Sequence, residues 1–162
     1  MIEVAIFDLD GTLIDLPMDY ERLFEKIRRT MKVRNVCPLL KTVAKANEQQ
    51  KKEIFTEWDK IELEALPKMT LKDKGMAIYK QYSEKPKVLV TMQGRKLVKA
   101  VLERFPLSFK TTITREDGLD RAKHLIIALH NLESKPHNVL FVGNEDHDQT
   151  AAEKVGCQFL KV

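Results

Sequence analysis

Four β-favouring apolar residues, Val4-Ala5-Ile6-Phe7, run straight into Asp8-Leu9-Asp10-Gly11-Thr12-Leu13, and this junction constrains the chain more than any other stretch. A short apolar run of this kind reads as a buried strand. Side chains alternate along a strand, so Asp8 and Asp10 point to the same side as the chain leaves the sheet. Gly11 lets the backbone turn sharply there. Two acids crowded at the carboxyl end of a buried strand repel each other, and a divalent cation is the usual remedy. Mg2+ prefers hard oxygen donors of this type. A polar turn that merely contains two aspartates would not require the strand, the acid spacing, the glycine and the hydroxyl to occur together.

The rest of the chain alternates. Tyr20, Leu23, Phe24, Ile27 and Met31 recur at helical spacing and predict an amphipathic helix over about 18–33. After Pro38 and a polar stretch, Ile54, Trp58, Ile61 and Ala65 predict a second long helix that ends at Pro67. Residues 70–82 predict a third, with Met76 and Tyr79 inward. No strand is expected between Leu16 and Glu84, so residues 17–84 read as a helical insertion packed as its own small bundle. Beyond Pro86, strands are expected at 87–91, 109–113, 139–143 and 157–160. Helices are expected at 95–104, at 120–132 with Leu125, Ile126, Leu129 and Leu132 inward, and near 150–155. Strand and helix in alternation imply an α/β fold with a parallel sheet and right-handed crossovers. Ligands of such sheets bind beyond the carboxyl ends of the strands. The polar clusters Asp8/Asp10, Thr91 and Asn144–Asp148 all fall at such ends.

The 162 residues suffice for one sizeable domain, or a compact one carrying an insertion. A net charge of +4 favours anionic partners in general but does not argue for nucleic acid. Lys26, Arg28, Arg29, Lys32 and Arg34 cluster on the first helix without interleaved aromatics to stack on bases, and read as a solvated face. No run approaches membrane-spanning length, and no signal peptide is expected. Cys37 and Cys157 stand far apart in no metal-ligand spacing, which fits a reducing, cytoplasmic setting.

Phe7-Asp8-Leu9-Asp10-Gly11-Thr12-Leu13-Ile14-Asp15 resembles the first motif of the haloacid dehalogenase superfamily of phosphatases and phosphotransferases. The later motifs follow in order, and an insertion between the first and second resembles the small helical cap of phosphoglycolate phosphatase-like members. The resemblance implies a Rossmann-like three-layer core formed by residues 1–16 and 85–162, with residues 17–84 as an all-helical cap. It implies a Mg2+-dependent phosphatase acting on a small phosphorylated metabolite. Asp8 would be the nucleophile and Asp10 the general acid/base. Haloacid dehalogenases proper lack that second acid, so Asp10 favours phosphoryl transfer. Thr91 and the Met92 amide would bind the phosphoryl oxygens, and Lys123 would be the basic residue of the third motif, with Arg121 as competitor. Mg2+ would be held by Asp8, Asp10 through its carbonyl, Asn144 and Asp148. Asn144 stands where the superfamily has an acid, with Glu145 or Asp146 as possible substitutes, and Met92 replaces the usual Asn or Gly. Those two departures motivate a second reading, a catalytically weakened member that binds a ligand or partner.

Overall fold

The computed structural model describes residues 1–162. Five parallel strands form the central sheet: β1 (Val4–Phe7), β4 (Lys87–Val90), β5 (Thr111–Ile113), β6 (Val139–Gly143) and β7 (Gln158–Lys161). Their order is β5-β4-β1-β6-β7, which puts β1 at the centre. From β1 the chain builds outward to β4 and β5 and then returns to β6 on the other side. Asp8 therefore emerges at the point where the strand order reverses, the ordinary ligand position of an open α/β sheet.

The period-two pattern of β1 sorts two cores. Ala5 and Phe7 face one layer with Leu89, Leu97, Val98, Val101 and Val142. Val4 and Ile6 face the other with Val88, Val90, Leu125, Leu129 and Phe141. α5 (Arg95–Arg104) covers the first face; α6 (Arg121–Leu132) and α7 (Asp146–Val155) cover the second. Each fully buried Leu, Ile or Phe contributes about 1.5–3 kcal/mol, so the two faces together hold the three layers.

Residues between β1 and β4 form α1 (Tyr20–Met31), α2 (Leu39–Ala44), α3 (Glu48–Ala65) and α4 (Asp73–Gln81). Leu23, Ile27, Val43, Ile54, Trp58 and Ile61 make a third core shared by α1, α2 and α3. The basic residues of α1 are paired at its surface, Arg28 with Glu21 at 2.9 Å and Arg29 with Glu25 at 2.7 Å.

Three expectations are corrected here. A strand does occur between 16 and 84: β3 (Thr70–Leu71) pairs antiparallel with β2 (Ile14–Asp15), tying the turn after Asp10 to the entry of α4. Second, α4 packs into the sheet core rather than into the core shared by α1, α2 and α3. Its Met76, Ile78 and Tyr79 pack on the sheet core, with the Tyr79 ring 5.6 Å from that of Phe7. Third, α7 begins at Asp146 rather than near 150, because Glu145 and Asp148 form a reciprocal capping box at its start.

Candidate active site

Asp8 leaves β1 with its amide donating to the Val142 carbonyl of β6 at 3.0 Å, which fixes the carboxylate between the two central strands. It is only 4% exposed. Arg121, the first residue of α6, projects back under it. Its Nη2 lies 3.2 Å from Asp8 Oδ1, its Nε 3.0 Å from Asp148 Oδ1, and its Nη1 donates to the Val90 carbonyl at 2.9 Å. The two carboxylate contacts are charge contacts off the hydrogen-bond line: Asp8 Oδ1, Asp148 Oδ1 and Arg121 Nε have no hydrogen-bond partner in the protein. Burial pushes the Asp8 carboxyl up to about 7; Arg121 draws it down, while Asp148 and Asp10 push it further up.

Lys123 is exposed, and its side chain is not part of this group. Its amide donates to the capping Asp120 carboxylate at 3.1 Å. Helical spacing explains the difference. Lys123 shares its stripe with the exposed Ile126, Ile127 and His130, whereas Arg121 shares its stripe with the buried Leu125 and Ala128. The cation facing Asp8 is therefore Arg121.

Asp10 begins a tight turn in which the Gly11 amide donates to the Ile14 carbonyl at 2.8 Å. Its Oδ1 accepts from the Leu16 amide at 2.9 Å. Burial raises the Asp10 carboxyl, against hydrogen bonds from the Leu16 and Gly11 amides. Gly11 has φ +80°, and a Cβ there would lie 2.3 Å from Asn144 Nδ2. Glycine suits both this backbone and this close approach of the first and last loops.

Asn144 is in the site but Asp148 has another task. Thr12 Oγ1 donates to Asn144 Oδ1 at 3.4 Å. Asp148 Oδ2 accepts from the Asn144 and Glu145 amides at 3.3 and 3.2 Å, and its Oδ1 faces Arg121. Asp148 is thus an anchor for Arg121 and for its own loop. Asp146 points outward to Lys161, and Glu145 accepts from Asn144 Nδ2 at 3.1 Å. No group of three His, Cys, Asp or Glu side chains is arranged to hold a metal ion. The donors that remain are the Asp8 carboxylate, the Asn144 amide oxygen and the Asp10 carbonyl, which accepts no backbone hydrogen bond. One carboxylate with neutral oxygens fits Mg2+, which keeps several waters and shares its sphere with substrate phosphate.

Thr91 follows β4 and is fully buried, its hydroxyl donating to Gln93 Oε1 and accepting from the Gln93 amide at 3.2 Å. The Met92 amide donates to no protein group. Two buried ions near this loop were not anticipated: Glu62 from α3 and Arg115 after β5. Glu62 is legible in principle as an acid on the apolar stripe of Trp58 and Ala65. Nothing local marks Arg115.

A family model described as haloacid dehalogenase-like hydrolase matches residues 5–162. The chain belongs to that family. Solved structures repeat its fold at low identity. A hydrolase from Pseudomonas syringae aligns with TM-score 0.74 at 14% identity, covering 98% of this chain and 84% of that one. A candidate phosphoglycolate phosphatase from Lactobacillus plantarum aligns with TM-score 0.69 at 22% identity, covering 98% and 86%. CbbY from Rhodobacter sphaeroides, solved with phosphate, aligns with TM-score 0.67 at 14% identity, covering 98% and 85%. No curated protein matches the chain. No helix is long and apolar enough to cross a membrane.

Proposed function

We propose that this haloacid dehalogenase-like hydrolase is a Mg2+-dependent phosphatase that cleaves a small phosphorylated metabolite through an aspartyl-phosphate on Asp8. The observation that carries the reading is a buried carboxylate at the switch point of the sheet, faced by the fixed guanidinium of Arg121. An Asp8 oxygen attacks phosphorus, and the bond from phosphorus to the leaving oxygen breaks. Asp10, whose carboxyl is raised by burial, gives its proton to that oxygen. As a carboxylate it then takes a proton from the water that attacks phosphorus, which frees phosphate and restores Asp8. Bound Mg2+, held by Asp8, the Asp10 carbonyl and Asn144, would supply charge that lets two anionic groups approach. Arg121 adds a cation that needs no reorganisation, and the Met92 amide is free to donate to a phosphoryl oxygen. Residues 17–84 would serve as the cap, with α1, α2 and α3 closing over Asp8 and excluding water. Two cysteines without a disulfide agree with a cytoplasmic setting.

The second reading, a weakened member that binds rather than turns over, is favoured by one feature. Asn144 is uncharged and Asp148 is committed to Arg121, so metal binding rests on a single carboxylate.

Phosphate release from an aryl phosphate, with and without Mg2+, tests the proposal in the wild type and in Asp8→Asn. Turnover that needs Mg2+ and vanishes in the variant supports it. If release is absent but appears in Asn144→Asp, the binding reading replaces it.

A further inference from the structure

Four residues of α3, Phe55, Trp58, Asp59 and Glu62, lie at i, i+3, i+4 and i+7 and so form one stripe. That stripe is a socket for Arg115, which belongs to the 3-10 turn after β5. The guanidinium lies 4.5 Å from the Trp58 ring centroid and 5.4 Å from that of Phe55. Its Nη1 donates to Glu62 Oε1 at 2.6 Å, and its Nη2 pairs with Asp59. Both the Arg115 and the Glu62 side chains are 0% exposed. Glu62 also accepts the Gly94 amide with both oxygens, at 3.1 and 3.3 Å, and Arg115 Nη1 reaches the Met92 carbonyl at 3.5 Å. This insertion helix therefore holds the Thr91–Gly94 loop directly at the Gly94 amide and, through Arg115, at the Met92 carbonyl. Gly94 has room for nothing more: a Cβ would lie 2.5 Å from both Arg115 Nη2 and Asp59 Oδ1.

A buried ion cluster is poor glue, because apolar residues of similar size hold two layers together as well or better. What it does supply is a defined position for the groups it touches.

Resting on the phosphoryl-site reading above, we propose that Glu62 and Arg115 are positioning residues of that site. By holding Arg115 and the Gly94 amide at once, α3 sets the Thr91–Gly94 loop only while α1, α2 and α3 are seated on the sheet. Seating of the insertion and formation of the phosphoryl-binding loop are then one event. Glu62 and Arg115 act through the loop and touch no reacting atom.

The decisive variant is the double replacement Glu62→Leu with Arg115→Met, which keeps the volume of the contact and removes the Glu62–Arg115 pair, leaving Asp59 with Lys96 at 3.6 Å. Amide hydrogen exchange is measured on the intact protein, with and without inorganic phosphate plus Mg2+, alongside urea unfolding and aryl phosphate hydrolysis. The expected result is an unfolding midpoint near the wild type, with peptides covering 90–97 exchanging about ten-fold faster, as for one lost charge-assisted hydrogen bond. Phosphate no longer slows their exchange, kcat falls, and peptides from α6 and α7 are unchanged. A folded double variant whose 90–97 exchange matches the wild type overturns the proposal. If the double variant does not fold, Gly94→Ala decides. It keeps every charge and wedges the loop from Arg115, so it must loosen 90–97 in the same way, and unchanged exchange there overturns the proposal too. A wild type with neither hydrolysis nor protection by phosphate sinks the phosphatase reading. The comparison without phosphate still decides whether α3 sets the loop.

Discussion

Arg121 separates the charges of Asp8 and Asp148, so removing it leaves two buried carboxylates facing each other with nothing between them. Breaking a buried pair by deleting one partner costs about 3–5 kcal/mol, and Arg121→Ala is expected to lose stability on that scale in urea unfolding. Lys123→Ala, two residues along, should stay within about 0.5 kcal/mol, as for an exposed side chain. Reversed magnitudes would mean that α6 presents the other stripe to Asp8. The acid missing at 144 makes a further prediction at this scale. Asn144→Asp adds a charged oxygen where the loop meets Gly11, and should tighten Mg2+ binding by about ten-fold or more in calorimetry. An unchanged affinity would place the cation elsewhere than beside Asn144.

At the scale of elements, α6 shows why some of the site was legible and some was not. Of the residues read as the inner face, Leu125, Leu129 and Leu132 do pack inward, and Ile126, about 100° around the helix from Leu125, does not. The stripe actually buried is Ala122, Leu125, Ala128 and Leu129, while Ile126 is 55% exposed. Leu125→Ala should therefore cost about 2–5 kcal/mol, and Ile126→Ala about 0.5 or less, both measured by urea unfolding. β1, the acid pair after it and the alternation beyond residue 85 were readable because each is signalled by its own few residues. The pairing of β2 with β3 was not, because two-residue strands carry no period and their partner is remote in sequence. The start of α7 was hidden for another reason. Four acidic or amide residues in five positions look like a loop, yet acids in a first turn are favoured by the helix dipole, and Asp148 turns back to cap its own helix. Arg115 was invisible because its meaning lies in Glu62, 53 residues away.

Across the whole molecule, Glu62 and Asp8 carry the largest rises among the buried carboxyls, and Asp10 shifts in the same direction. Burial raises Glu62 from 4.5 to about 7, against the pull of Arg115 and the Gly94 amide, with Asp59 pushing further up. Burial likewise raises Asp8 from 3.8 to about 7. Between the unfolded and folded values the folded chain holds more protons than the unfolded chain. The slope of unfolding free energy with pH is then negative. The stability these groups contribute is fully present below their unfolded values near 4 and is lost as pH rises through about 7. His124 opposes them: burial first and Arg121 second lower its value from 6.5, so it favours the folded state more as pH rises. Two raised carboxyls outweigh one lowered imidazole. The metal-free protein should accordingly unfold at lower urea concentration at pH 8 than at pH 6. The cause is separable by mutation. Glu62→Gln removes one of these titrating carboxyls while keeping an acceptor for the Gly94 amide, so the difference between pH 6 and pH 8 should shrink by about half or more. If the variant keeps the wild-type difference, Glu62 is already ionised at pH 6, and the contact between α3 and the Thr91–Gly94 loop is a full ion pair throughout the neutral range.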